Sequence, residues 1–144
     1  SICIDKKTGI VGPAGTTHLG TDAVWWNQER WAKGMHRGMV KHKEPTVHST
    51  KYGPHGRVVA LDGLFLAARK EVWEHILLEK PEYFEGDWDF YDIHYTVKSH
   101  ILGYNNYAVP VELIHDSSGE LVGRDSWHKN REAFIANTKL PQTC

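Results

Sequence analysis

The spacing of apolar and polar positions along the chain predicts an α/β protein, and the pattern is sharpest between residues 82 and 104. Phe90, Ile93, Val97 and Ile101 recur every three or four residues and so share one stripe of a helix. Asp89 stands at the N-cap of that register, and Gly103 where a glycine stops a helix. Asp92 falls in the first turn, where the helix dipole favours its ionised form.

The flanking segments read less regularly. Residues 1–7 alternate as a short or edge strand that turns at Thr8-Gly9. Ile10-Val11 leads into a Gly-rich loop through Thr17, which lacks the lysine and following helix of a phosphate-binding loop. Thr21 or Asp22 caps a helix ending near Gly34, with Trp25 and Trp31 packed inward. Residues 33–56 read as a long mobile loop, with a short strand at 46–48. Arg57–Leu61 reads as a buried strand and Leu64–Ala68 as a second apolar run. Asp62-Gly63 between them suits either a hairpin turn or a bulge that turns the acid out of the sheet. A helix follows over 69–78, with Val72, Trp73, Ile76 and Leu77 on one face. A strand over 107–114, placed at an edge by Pro110, then delivers His115 into a polar loop. Ser126 caps a last helix to about Thr138, with Phe134 and Ile135 inward, and 140–144 reads as a frayed tail. The whole is a mixed sheet built around 57–67 and 107–114, with flanking helices and the 33–56 loop over one end.

Composition narrows the class. A chain of 144 residues suits one domain that buries about two-thirds of its unfolded surface. Seventeen basic and eighteen acidic residues nearly cancel, so no global field draws it to nucleic acid. Cys3 and Cys144 form neither a disulfide framework nor a CxxC metal site, which points to a reducing, cytoplasmic compartment. No apolar run is long enough for a transmembrane helix. His36, His42, His48 and His55 match no metal-ligand spacing and read as solvated. Six tryptophans are several-fold above the usual ~1 % share, and flat indole faces suit sugar rings.

Asp92 has two readings: partner of Asp89 in a capping box, or a general base in a cleft. Context bears on the choice. Val11-Gly12-Pro13-Ala14-Gly15-Thr16, Trp25-Trp26, a strand ending in Asp62-Gly63, a helix opening at Tyr91-Asp92 and a strand ending in His115 follow one another in order. This set resembles the C-terminal, acceptor-side half of a GT-A fold, family 2-type glycosyltransferase of bacteria or phages. The resemblance implies a truncated GT-A-like (nucleotide-diphospho-sugar transferase) architecture over 1–144, lacking most of the N-terminal nucleotide-binding half. It implies an inverting transfer from a nucleotide-sugar donor to a saccharide or other hydroxyl acceptor, with Asp92 as base. Asp62, Gly63, Tyr91, Trp25 and Trp26 would bind the acceptor, and His115 would complete a Mn²⁺ or Mg²⁺ site. The family often carries an Asp two residues after the base, where this chain has His94. The only Asp-x-Asp, Asp87-Trp88-Asp89, reads as an acidic rim or cap. A second copy of the chain, as a homodimer, is one source of the missing surface. The alternatives are a non-catalytic glycan- or nucleotide-sugar-binding module of the same fold, and a small metal-dependent hydrolase built from His115, Asp116, Asp92 and His94.

Overall fold

The structure, a computed structural model, describes residues 5–86, 89–116 and 124–144. Strand β1 (Thr8–Gly12) runs parallel to β8 (Asn105–Ala108), which pairs antiparallel with β6 (Gly56–Val58). A second sheet has the order β5 (His48–Gly53), β4 (His36–His42), β2 (Ala14–Thr16), β7 (Ala60–Leu61). Strand β9 (Ile114–His115) adds to it in parallel with the end of β4. The chain passes from one sheet to the other at Pro13, between β1 and β2, and again at Val59, between β6 and β7. A third, two-stranded pairing joins β3 (His18–Leu19) to β10 (Gln142–Thr143).

Helix α3 (Tyr91–Ile101) lies against β1, β7 and β8, with α2 (Lys70–Ile76) beside it. It divides the core. Ile93 and Val97 enter a cluster with Trp25, Val40, Phe90, Trp127 and Phe134, whereas Tyr95 joins Ile10, Val58, Leu61, Val72 and Ile76. Helix α4 (Asp125–Asn137) closes the first cluster through Trp127 and Phe134. It is tied down by Asn130, whose amide donates to Glu85 O and Asp89 O and accepts from Glu85 N.

A buried polar hub fixes where α3 sits. The Asn106 side chain, on β8, donates to Val59 O at 3.1 Å and Thr96 O at 2.7 Å. Its oxygen accepts from Ile10 N at 2.9 Å and from the Ser99 hydroxyl at 2.8 Å. Both donors and both acceptor directions of one amide are thereby used. Thr96 continues the network, donating to Asp92 O at 2.7 Å and accepting from Leu61 N at 3.2 Å. These bonds pin the first turns of α3 to the end of β7.

Several expectations are corrected. Residues 33–56 are not a long loop but contain the β4–β5 hairpin. Along β4, His36, Gly38 and Val40 face inward while Met39 and Lys41 face solvent. The basic residues that suggested a loop are the outer face of a strand. Gly38 sits at φ +89° with the Pro13 carbonyl where a Cβ would stand, and the ladder slips by a register beside it. His36 is fully buried rather than solvated, and burial, reinforced by Arg30, lowers its pKa to about 4. Thr8-Gly9 lies within a strand, and the Gly-rich segment after it runs on through β1 into β2 of the other sheet. The tryptophan-rich helix is confined to α1 (Gln28–Ala32), capped by Asn27, and Trp31 is 39 % exposed. Asp62-Gly63 leads into no hairpin, because Ala67 bridges back to Val11. The 107–114 strand is interrupted, its two ends lying in different sheets. Gly103 follows α3 as expected, but Ile101 is 53 % exposed. Ser126 lies inside α4, whose N-cap is Arg124, and the 140–144 tail is anchored by β10.

Replacing Asn106 by Ala strands four buried backbone and side-chain partners, so unfolding free energy should fall by about 2–4 kcal/mol in urea titration. A loss below about 0.5 kcal/mol, the size of an ordinary surface change, would show that the hub does not hold α3.

Candidate functional site

The site begins where β7 ends. Asp62 donates its backbone N–H to Ala14 O at 2.9 Å, and its carboxylate accepts from Leu64 N at 3.0 Å. The backbone of the next residue is held on both sides by α3. Gly63 N–H donates to Asp92 Oδ2 at 3.0 Å, and Gly63 C=O accepts from the Tyr91 hydroxyl at 2.7 Å. A Cβ at residue 63 would lie 2.6 Å from that hydroxyl oxygen and 3.0 Å from the Asp92 Cβ, so only glycine allows the approach.

This clamp replaces the expected capping box. The residue before α3 is Phe90, in the left-handed region at φ 73°, with no side-chain cap. Asp89 is buried and accepts a hydrogen bond from Ser126 of α4 instead. Asp87 and Trp88, the rest of the Asp-x-Asp, lie outside the described residues.

Electrostatics set the state of Asp92. Burial and the adjacent Asp62 charge raise its pKa to about 7, against the bonds from Ile93 N and Gly63 N that favour the anion. Burial and dipole therefore pull opposite ways, and burial wins. Near pH 7 the group is divided between acid and base forms, rather than wholly ionised as its helix position suggested. The sign follows: the folded chain holds this proton more tightly than the unfolded chain. Its contribution to stability is full below the ordinary value of 3.8 and is lost as pH rises through about 7. Tyr91 is pushed up to about 12 by burial, Asp92 and Asp62, so it stays a hydrogen-bond donor.

Asp62 also feels the charges of two imidazoles. Burial raises its pKa, while the bond from Leu64 N and then His115 and His42 oppose that rise. His42 and His115 are in register across β4 and β9, their rings 5.6 Å apart. His48, paired with His42 across β4 and β5, stacks on it at 5.0 Å with planes 25° apart. The structure thus gathers Asp62, Gly63, Tyr91, Asp92 and His115. It adds the half-buried His42, which spacing alone had assigned to solvent, whereas His48, stacked on it, is exposed as expected. The missed signal was the alternation through His36, Gly38, Val40 and His42, which puts His42 on the inward row just past the core.

The tryptophans stand differently. Trp25 is 2 % exposed, edge-on to Trp26 and Tyr52, and offers no open face to a sugar. Tyr52, with its ring 5.0 Å from Trp25, is raised to about 12 by burial and the Asp62 charge, so Trp25 stands one ring behind the site. Trp26 is half-buried against Trp127. His94 is half-buried between the rings of Phe84 and Tyr95, and burial, with Lys98, lowers it to about 4. Asp116 is paired with Lys43 at 3.0 Å. Beside Tyr91, an apolar groove of about 440 Å³ is walled by Leu66, Trp73, Leu78 and Tyr95.

Among the described residues, no three His, Cys, Asp or Glu side chains are placed to hold a metal ion. The hydrolase grouping is likewise not assembled.

Among the described residues the fold is a mixed α/β arrangement of three sheets and four helices, with a carboxylate pair at a strand end and a helix mouth. The chain belongs to the glycosyltransferase-like family, whose pattern matches residues 2–137, and that membership implies a GT-A-like fold. Comparison with curated proteins and with solved structures returned no match. No helix among the described residues is long and apolar enough to cross a membrane.

Removing the neighbouring charge should release Asp92. In Asp62→Asn the Asp92 carboxyl should titrate clearly below pH 7, read by carbon-detected NMR. An unmoved titration would show that the two carboxylates do not interact.

Proposed function

We propose that this chain carries out sugar transfer from a nucleotide-sugar donor to a hydroxyl acceptor with inversion, and that Asp92 is its general base. The observation that carries this reading is the Asp92 carboxyl, fixed by Gly63 N–H beside Asp62 and tuned to about pKa 7. A base is most effective when its pKa lies near the working pH. Asp62, Gly63 and Tyr91 line the acceptor position. As the acceptor oxygen attacks the anomeric carbon, its proton passes to Asp92. The bond from that carbon to the diphosphate oxygen breaks, and the nucleoside diphosphate leaves with the electron pair. One in-line displacement inverts the centre. Asp92 Oδ2 accepts from Gly63 N–H and Oδ1 from Ile93 N–H, and the two bonds fix the orientation of the carboxylate.

Nucleoside diphosphate release from a panel of nucleotide sugars, with mono- and disaccharide acceptors, measures the reaction. Asp92→Asn should keep its circular dichroism and lose at least about 10²-fold in kcat, the usual size of a general-base contribution. Full activity in that variant overturns the assignment. Wild-type kcat should rise with pH along a limb centred near 7, because the ionised form is the base. Saccharide binding with no response to any nucleotide sugar would make the chain a glycan-binding module instead.

Dependence on Mn²⁺ or Mg²⁺ rests on the family likeness alone. Transfer lost in EDTA and restored by either ion supports it; transfer undiminished in EDTA removes it.

A further inference from the structure

The Tyr91 side chain serves two places at once. Its hydroxyl donates to Gly63 O at 2.7 Å, beside the Asp92 carboxylate that takes the N–H of the same residue at 3.0 Å. Its ring is one wall of the apolar groove, shared with Leu66, Trp73, Leu78 and Tyr95. A Cβ on Gly63 would stand 2.9 Å from Tyr91 Cζ and 3.0 Å from Asp92 Cβ, so the groove wall and the base meet across one glycine.

The groove is both apolar and firmly backed. Among the described residues that line it none is charged, and the Tyr91 hydroxyl is already given to Gly63 O. Leu66, Trp73 and Tyr91 pack against the core cluster of Ile10, Leu61 and Val72. Trp73 and Leu78 carry the groove on into a second hollow of about 620 Å³, where Leu77 joins them and Lys70, Glu74 and Glu79 first bring charge. At the end of α2, Leu77 takes the left-handed conformation at φ 62°, and its N–H donates to Trp73 O at 3.1 Å. That turn leaves Leu77 and Leu78 55 % and 51 % exposed. Contiguous exposed apolar surface rimmed by charge marks a binding site rather than ordinary surface.

We infer that this groove holds the alkyl chain of an amphiphilic acceptor, whose hydroxyl end lies at Asp92. The inference rests on the transferase reading and names the class of acceptor for the same site. A saccharide laid along the groove would bury a hydroxyl on almost every carbon with few wall groups to meet them, and each unmet hydroxyl is costly. An alkyl chain has no such groups, and every methylene it buries is favourable. The two hollows share Trp73 and Leu78, so a chain longer than the inner groove runs on past Leu77 to the charged rim.

Alkan-1-ols from butan-1-ol to octan-1-ol test the inference, titrated into the full chain and followed by the ¹³C-methyl signals of leucine. The Leu66 and Leu78 methyls should move, while those of Leu102, exposed but outside the groove, should stay. Affinity should tighten about two- to fourfold with each added methylene. Leu78 is exposed enough that Leu78→Asp should keep its circular dichroism. That variant should bind octan-1-ol at least about tenfold more weakly, whereas Leu102→Asp should bind it as the wild type does. In transfer assays octan-1-ol should raise the acceptor KM competitively and leave kcat alone. Affinity indifferent to chain length, equal shifts at Leu102, or binding unchanged in Leu78→Asp overturns the inference. Its failure is distinct from failure of the transferase reading. Chain-length-dependent binding at Leu66 and Leu78 in a chain that transfers no sugar overturns the transferase and keeps the groove as an alkyl site. Transfer lost in Asp92→Asn, with no alkanol moving those methyls in the wild type, keeps the base and overturns the groove.

Discussion

Gly63, gripped at its N–H by Asp92 and at its carbonyl by Tyr91, makes the contact on which the candidate site depends. It joins a strand end to a helix mouth, elements separated by nearly thirty residues of chain. The grip closes only because residue 63 has no side chain to keep the helix away. Each bond is an ordinary one, worth about 1 kcal/mol net. Their effect is geometric: they set where one carboxylate points and how near a second lies.

The clamp would be weak without the polar network behind it. Asn106 and Thr96 use their hydrogen-bonding groups to fix α3 against β1, β7 and β8, and no packing of apolar side chains specifies position so narrowly. A satisfied buried network penalises any sliding of the helix, since each shift strands several partners at once. The apolar stripe of α3 supplies adhesion to two core clusters, and the network supplies the register.

Placing Asp62 beside Asp92 has a cost in stability, because two partly buried carboxylates resist joint ionisation. The family and the geometry make sense of that cost together. A structural carboxylate would be better off exposed or paired with a base, whereas a proton acceptor gains from a pKa near neutrality. The neighbouring imidazoles and the bond from Leu64 N oppose the rise that burial imposes on Asp62.

Much of this was written locally in the chain. The 3.6-residue stripe through Phe90, Ile93 and Val97 and the glycine after the helix gave α3, since both depend on near neighbours alone. The apolar run at 57–61 likewise marked a buried strand. The order of Asp62-Gly63, Tyr91-Asp92 and His115 suggested the glycosyltransferase-like family to which the chain belongs. Other features were decided only by pairing across the fold. Residues 36–53 carry charges and glycines that mimic a loop, and they become a hairpin because β2 and β9 bond to the other edge of β4. The resemblance put Trp25 against the acceptor, yet it is enclosed by Trp26, His36 and Tyr52. Asp92 reads as an ionised helix-end acid, until Asp62 and burial, both supplied by another element, outweigh the dipole. Composition and period report what each segment prefers alone; the state of a charge and the face of a ring depend on what distant chain is folded against them.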